Sequence, residues 1–176
     1  MQKHLALLRG INVGGHKKVP MAQLRAAAEE AGYTGVKTYV ASGNLVLGST
    51  AGADIEVTLE QAIEKRFGFH VDVIVRSQQQ WATYLRGNPF PTQSSVSPNL
   101  VMICVGKRAM TDDDLSAFRI NAGQNEKVER TDDVLWLYFG DGSARSKLMS
   151  GSSRGVWTTR NWTTVMRLSE MLDGSD

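Results

Sequence analysis

The chain has 176 residues, of which 41% are hydrophobic and 22% charged, and its formal net charge is +2. This length fits one domain or two compact halves, and the composition is that of a globular protein, which excludes disordered and fibrous classes. Cys104 is the only cysteine, so an intramolecular disulfide framework is excluded. No apolar stretch has the length of a signal peptide or a membrane span, and we therefore expect a cytoplasmic protein with no membrane partner.

The charges are unevenly distributed along the chain. Residues 1–28 contain five basic residues and no acidic one, and residues 143–169 have the same balance. Two such segments form one positive surface if the fold brings them together. If it does not, each is an ordinary solvated face, and the charge distribution alone leaves both alternatives open.

The first half of the chain predicts the element order β-α-β-β-α-β. "KHLALLR" is typical of a strand, and Pro20 opens a helix whose apolar residues share one face. "VKTYVASGNLVLG" predicts two strands around a turn or bulge at "ASGN", and a second helix runs from residue 55 to its stop at Gly68. "HVDVIVR" alternates as a strand does, and Ser77 and Gln80 have the spacing of a capping box that starts an extra helix. This is the ferredoxin-like order of an α+β fold.

The second half predicts a smaller α+β subdomain. Three of the four prolines lie within residues 87–99, which marks residues 88–98 as a linker between subdomains 1–87 and 99–176. The strand "LVMICV" precedes a short helix capped by Thr111, and "EKVER" pairs with "DVLWLYFG". Residues 142–161 have a loop-like composition. Trp162 lies in a final amphipathic helix, for which Thr158 or Thr159 is the predicted N-cap.

The glycine-rich stretch "GINVGGHKK" is the first candidate site. Gly10 and Gly15 have the glycine spacing of a phosphate-binding P-loop, but the lysine is displaced and the metal-binding hydroxyl residue is missing. We therefore reject an ATPase or GTPase. Main-chain amides at glycines can still surround an anion, with help from nearby basic side chains. The ligand-binding residues predicted in this glycine-rich loop are Arg9, Asn12, Gly14, Gly15 and Lys17. The structural alternative is a tight turn at Gly14–Gly15 with exposed lysines.

Two further stretches carry polar side chains at predicted element ends. In "TYVASGNLV", Ser42 and Asn44 either face the glycine-rich loop or stabilise a β-bulge. In "SARSKL" and "VWTTRNWTTV", Lys147, Arg160 and Asn161 form a basic wall at the start of the last helix, where free N–H groups favour anions. The alternative there is an ordinary helix cap with an exposed arginine.

No catalytic constellation is recognisable. The three histidines are scattered without metal-ligand spacing, so we predict no metal site. Ser42 lacks the surroundings of a nucleophile elbow. Cys104 lies in an apolar run and is expected to be buried. Trp157 and Trp162 can stack on a nucleobase, but their spacing is more typical of core residues. The sequence indicates neither a reaction nor a cofactor.

The three stretches together closely resemble the bacterial domain-of-unknown-function family numbered 1697. The resemblance runs from residue 4 to about residue 172 and is carried by "LLRGINVGGHKKVPM", "TYVASGNLV" and "SKL…TTRNWTTV". It implies an α+β fold of two subdomains in a small bacterial cytoplasmic protein, and it implies no activity. The family's motif positions fall on Arg9, Gly10, Asn12, Val13, Gly14, Gly15, Met21, Ser42, Gly43, Asn44, Ser146, Lys147, Arg160, Asn161 and Trp162.

These patterns lead to three functional hypotheses. The first is binding of a small anionic or phosphate-bearing ligand, such as a nucleotide, in a cleft between the glycine-rich loop and the "TTRNW" segment. The second is single-stranded nucleic-acid binding on an open sheet face, which requires exposed aromatic residues on central strands. The third is a non-catalytic protein-interaction module whose motifs are structural. The sequence does not predict an oligomeric state.

Overall fold

The chain folds into two α+β units, each built on its own four-stranded antiparallel sheet. The computed structural model of the chain describes residues 1–50, 54–150 and 155–174. Unit 1 comprises Met1–Trp81 and Leu168–Asp176, and unit 2 comprises Ala82–Arg167. The last segment of the chain thus belongs with its beginning, a division that differs from the predicted subdomains 1–87 and 99–176.

Unit 1 has the element order predicted from the sequence. Its sheet has the strand order β2-β3-β1-β4, with every neighbouring pair antiparallel. The elements are β1 (Gln2–Leu8), α1 (Met21–Glu30), β2 (Thr34–Tyr39), β3 (Asn44–Ser49), α2 (Ile55–Phe67), β4 (Val73–Ser77) and the first residues of α3 (Gln78–Arg86), which continues into unit 2.

Local sequence signals explain where the helices of unit 1 begin and end. Pro20 is the N-cap of α1, and Asp54 caps α2 by accepting a hydrogen bond from the Val57 amide. Gly68 ends α2 with a φ of +79°, a conformation that glycine adopts without a Cβ penalty. Apolar residues of the two helices pack with the sheet in one core cluster, which includes Ala6, Leu8, Leu24, Leu45, Leu59, Ile63 and Val73.

Unit 2 repeats the strand order of unit 1. Its sheet runs β6-β7-β5-β8, so the first and third strands are again central. A separate core cluster includes Cys104, Phe118, Leu135 and Leu137. The elements are α4 (Pro91–Val96), β5 (Val101–Gly106), α5 (Asp112–Arg119), β6 (Glu126–Thr131), β7 (Val134–Phe139), β8 (Trp157–Asn161) and the first half of α6 (Trp162–Asp173), whose end belongs to unit 1, with 3-10 turns at Pro98–Leu100 and Leu148–Ser150.

The predicted α+β class is confirmed, and three local details differ from the sequence-based expectation. The segment 88–98, expected as a linker, contains α4. Residues 157–161, expected as loop, form β8, in which Thr158 and Arg160 are buried. An arginine at an inward position breaks the apolar alternation by which strands are recognised. The structure therefore corrects the N-cap assignment too, because Thr158 and Thr159 lie within a strand.

The last residue of the last strand of each sheet starts the next helix in the same way. Ser77 Oγ accepts a hydrogen bond from Gln80 N at 3.2 Å, and Gln80 Oε1 accepts one from Ser77 N at 2.9 Å, as the capping-box spacing predicted. Asn161 Oδ1 accepts a hydrogen bond from Thr164 N at 2.9 Å. Asn161, rather than a threonine, thus provides the N-terminal hydrogen bond of α6.

The described helices include none that is both long enough and apolar enough to cross a bilayer.

Candidate functional site

The glycine-rich stretch forms a short exposed hairpin between β1 and α1. Asn12 N donates to Lys17 O and His16 N donates to Val13 O, which leaves Gly14 and Gly15 at the tip. Their φ values of +58° and +77° match a type I′ turn, which needs two positive φ values. Ile11 and Val19 anchor the hairpin in the core at 2% and 1% exposure. Among the described residues, the Gly14 and Gly15 amides have no protein acceptor.

Asn12 fixes this hairpin to the rest of unit 1. Its Nδ2 donates to Val19 O at 3.0 Å and to Ala41 O at 2.8 Å, and its Oδ1 accepts from Val19 N at 2.8 Å. The residue has a φ of +54°, which asparagine tolerates better than most residues. Both amide donors are therefore engaged with main-chain carbonyls, so Asn12 shapes the loop, and its predicted ligand contact is limited to the remaining Oδ1 lone pair.

The turn between β2 and β3, residues 40–43, lies directly beneath the hairpin. Leu8 N donates to Gly43 O, and an added Cβ on Gly43 would lie 2.6 Å from Ile11 Cδ1. Asn44 is fully buried, and its Nδ2 donates to Tyr39 O at 2.8 Å and to Ser42 Oγ at 3.2 Å. Ser42 and Asn44 thus stabilise this turn. The predicted proximity of the two loops is present, although Asn44 is hidden from solvent.

The loop between α2 and β4, residues 68–72, completes a cluster of three loops at one end of the sheet. Arg9 N donates to Asp72 O, and Arg9 Nη1 lies 3.8 Å from Asp72 Oδ2. Lys17 Nζ donates to His70 O at 2.9 Å. The basic side chains that the sequence assigned to a ligand are therefore held beside the hairpin by this third loop, and both remain solvent-exposed.

Two residues of the third loop form a polar cluster with α2 that the sequence-based prediction of no metal site did not foresee. Glu60, His70 and Asp72 each offer one ligand atom, and these atoms lie within 4.8 Å of one another. His70 Nε2 is 3.2 Å from Asp72 Oδ1, and Glu60 Oε1 accepts a hydrogen bond from Val73 N at 2.9 Å. Since Glu60 lies ten positions before His70 on a different element, no short spacing motif connects these residues.

Lys147, predicted as part of a basic wall, lines a cavity of about 680 Å³ in unit 2. Arg145 also lines this cavity, together with Glu126 and Asp141. Asp141 Oδ2 accepts a hydrogen bond from Asn125 Nδ2 at 2.7 Å. The cavity therefore combines two basic side chains with polar and acidic groups.

Arg160 lies in β8 and is 6% exposed. Its Nη1 donates to Thr158 Oγ1 and to Thr159 O, each at 2.7 Å. Desolvation by burial lowers the pKa of Arg160 to about 10, so the guanidinium still carries its charge at neutral pH. Sequence reasoning placed this side chain in the first turn of a helix, whereas the structure places it in a strand, hydrogen-bonded to its own neighbours. Its role toward a ligand remains a prediction.

Cys104 is a core residue, and Trp157 and Trp162 are partly buried against other aromatic side chains. Cys104 is fully buried, and desolvation raises the pKa of its thiol, so the thiolate needed for nucleophilic attack is disfavoured. Trp157 packs edge-on against Phe118 with ring centroids 5.3 Å apart. Trp162 packs against Trp136 at 5.8 Å. Both rings thus pack against protein side chains, the arrangement that the sequence favoured over stacking on a base, although both remain partly exposed.

The predicted site residues thus fall into two groups. Seven of the predicted site residues belong to unit 1 and lie together at one end of its sheet: Arg9, Asn12, Gly14, Gly15, Lys17, Ser42 and Asn44. Unit 2 holds the other three at different positions, with Lys147 at a cavity, Arg160 inside a strand and Asn161 at a helix start.

Comparisons with known proteins agree with the fold and give no activity. A family model described as "Protein of unknown function (DUF1697)" matches residues 1–136, a range that includes the three loops of unit 1 but stops before Lys147. The solved structure of the conserved bacterial protein SP0830 from Streptococcus pneumoniae has a TM-score of 0.75 and 21% sequence identity, with 98% of this chain and 99% of that chain covered. At that identity the likeness shows the fold alone. No curated protein matches the sequence.

Proposed function

Because the chain belongs to a family described only as proteins of unknown function, we propose its function from the geometry of its loops: binding of a small anionic, phosphate-bearing ligand at the glycine-rich hairpin of unit 1. The observation that carries this proposal is the hairpin tip itself. Gly14 and Gly15 are exposed and their main-chain amides have no acceptor among the described residues, and Asn12 holds their loop in place.

The hairpin supports anion binding through its amides and its charge. Successive main-chain N–H groups in a turn can bind phosphate and carboxylate oxygens, and Gly14 and Gly15 are the two central residues of such a turn. Arg9, Lys17 and Lys18 lie in the same loop, and all three are exposed. One Lys17 N–H is used by His70 O, and the ammonium group has two further donors for a ligand. A phosphate oxygen at the tip would thus meet both amides and cations.

The cavity of unit 2 is a second place where the same class of ligand can bind. Arg145 offers a planar guanidinium and Lys147 a point charge, and both suit phosphate groups. Glu126 and Asp141, which also line the cavity, oppose a multiply charged anion. The unit 1 hairpin, whose tip carries no acidic side chain, is therefore the preferred site.

The experiment is a titration of the ¹⁵N-labelled protein with inorganic phosphate and pyrophosphate, followed by two-dimensional NMR at constant ionic strength. We expect saturable shifts of the Gly14 and Gly15 amide resonances, because these N–H groups would exchange water for phosphate oxygens. The amide resonance of Gly142, which lines the unit 2 cavity, shows whether the anion also binds in that cavity. Lys17→Ala and Lys18→Ala should weaken the binding seen at Gly14 and Gly15.

Lys127→Ala is the matched control, because Lys127 is an exposed lysine on β6, outside the glycine-rich hairpin and not among the residues that line the cavity. It should leave the titration unchanged. Sodium chloride at the same ionic strength should not reproduce the shifts. Resonances of Gly14 and Gly15 that stay fixed, or equal weakening by Lys127→Ala, would show that only generic charge attracts the anion.

The two alternative functions gain less support. Single-stranded nucleic-acid binding needs an open sheet face, whereas Leu5 and Leu7 on one face of β1 and Ala6 and Leu8 on the other are all fully buried. The hypothesis of a non-catalytic protein-interaction module predicts a structural role for Asn12. The three hydrogen bonds of the Asn12 amide agree with that role. The phosphate titration separates this alternative from ours, since a structural motif needs no anion.

A further inference from the structure

We infer that Glu60, His70 and Asp72 bind a divalent transition-metal ion of the zinc class in unit 1. This inference does not depend on the anion proposal, because the ligand atoms come from α2 and the loop before β4 rather than from the glycine-rich hairpin. The cluster joins one imidazole to two carboxylates, and its ligand atoms lie within 4.8 Å of one another.

The separations are close to those of a bound ion. Zinc ligands at about 2.0–2.2 Å in a tetrahedron lie roughly 3.4 Å from one another. His70 Nε2 and Asp72 Oδ1 are already 3.2 Å apart. The carboxylate of Glu60 has to approach by on the order of 1 Å, which a small side-chain rotation provides. A fourth position remains for water or another ligand.

Each ligand is held by the elements around it. Glu60 Oε1 accepts from Val73 N at 2.9 Å, which orients its carboxylate toward the start of β4. Lys17 Nζ fixes the main chain at His70, and Arg9 Nη1 lies 3.8 Å from Asp72 Oδ2, the oxygen that does not face His70. Such outer contacts orient metal ligands and maintain their geometry. They also place two positive charges nearby, which limits the affinity for a cation.

The ligand set selects the kind of metal. Imidazole favours zinc, copper, nickel and iron, whereas magnesium and calcium prefer sites made of oxygen ligands. A mixed site with one nitrogen and two carboxylates therefore fits zinc or cobalt better than magnesium. The two carboxylates balance the charge of the ion, and this balance explains how a half-buried cluster can hold it.

The test is calorimetric titration of the metal-free full chain with Zn²⁺ in phosphate-free buffer, together with Co²⁺ absorption spectra. We expect one ion per chain, visible Co²⁺ bands, and no binding of Mg²⁺ under the same conditions. His70→Ala should weaken the binding by roughly 100-fold or more, since removal of an outer-shell partner alone commonly costs 10–100-fold.

His16→Ala is the matched control, because His16 is an exposed histidine on the neighbouring hairpin, and it should bind Zn²⁺ like the unaltered chain. Glu60→Gln keeps an oxygen that can accept from Val73 N but removes the charge, so it should weaken Zn²⁺ binding while leaving the metal-free melting temperature unchanged. Absent binding at millimolar Zn²⁺, or equal loss in His16→Ala and His70→Ala, would overturn the inference. Since no phosphate is present, either result leaves the anion titration unaffected.

Discussion

Asn12 shows how a single side chain can determine the geometry of a loop. Its amide makes three hydrogen bonds to main-chain groups of Val19 and Ala41, and we expect Asn12→Ala to lower the free energy of unfolding by about 2 kcal/mol. Asn12→Gly should be less harmful by about 1 kcal/mol, since glycine accepts the φ of +54° without a Cβ penalty. Chemical denaturation of both variants measures this difference.

Val13→Ala is the control for the Asn12 variants, because Val13 is 68% exposed in the same hairpin and its truncation should change stability by less than about 0.5 kcal/mol. Equal stability of Asn12→Ala and Val13→Ala would contradict the bracing role. In that case the hairpin would be held by Ile11 and Val19 alone.

Asp114 links the stability of unit 2 to pH. Arg108 donates two hydrogen bonds to its carboxylate at 2.7 and 2.9 Å, and with the Thr111 contacts this lowers the pKa of Asp114 from 3.8 to about 2. A carboxyl pKa that is lower in the folded state stabilises the protein above the unfolded value and loses this contribution as the pH falls toward 2. The contribution is about 2 kcal/mol.

Asp114→Asn should remove this part of the acid sensitivity, which denaturation at pH 5 and pH 2.5 measures. Asp113→Asn is the control, since Asp113 is exposed in the same helix turn and should leave the pH dependence unchanged. A pH dependence that is identical in Asp114→Asn and the unaltered chain would contradict the assignment.

Gly43 and Gly15 have similar backbone angles and different surroundings, so they separate conformational strain from packing. Both have positive φ values, +84° and +77°. A Cβ on Gly43 would meet Ile11 and Leu8 at 2.6 and 2.8 Å, whereas nothing lies within 4 Å of a Cβ on Gly15. We expect Gly43→Ala to cost about 2–4 kcal/mol and Gly15→Ala about 1 kcal/mol of unfolding free energy. Thermal and denaturant unfolding of the two variants tests this order, and equal losses would contradict it.

The elements that the sequence predicted best are those with a local signal. The capping boxes that begin α3 and α5, the glycine that ends α2 and the alternation of β4 all depend on residues within a few positions of one another. β8 escaped prediction because a buried arginine replaces an apolar residue, and only its pairing with β5 reveals the strand. The Glu60–His70–Asp72 cluster was not predicted for the same reason, because its residues meet only in the folded chain. The hairpin residues could be predicted as site residues because they lie in one continuous stretch of sequence.

The division of the chain into units depends on its last helix. Leu168 and Leu172 are 0% and 1% exposed, and Leu172 O accepts a hydrogen bond from Lys3 Nζ at 2.7 Å. Asp173 accepts one from Gln78. The sequence predicted the amphipathic helix, but the assignment of its end to unit 1 depends on contacts 169 and 95 positions apart, which no local pattern encodes.

Deleting the chain from Leu168 onward should therefore destabilise the first unit, although the deleted residues follow the second. Loss of the buried Leu168, Met171 and Leu172 side chains removes on the order of 5 kcal/mol of apolar burial. We expect much faster hydrogen exchange in β1, measured by mass spectrometry. A chain that stops after Asp173 is the control and should exchange like the full chain. Unchanged protection of β1 in the longer deletion would contradict the unit assignment.

Because α6 begins in unit 2 and ends in unit 1, the order of synthesis differs from the order of completion. A ribosome makes β1 to β4 before unit 2, yet the segment that completes their unit is made after all of unit 2. A nascent chain that stalls near residue 167 would therefore expose apolar surface of unit 1, and chaperones and proteases recognise such surface on incompletely folded proteins.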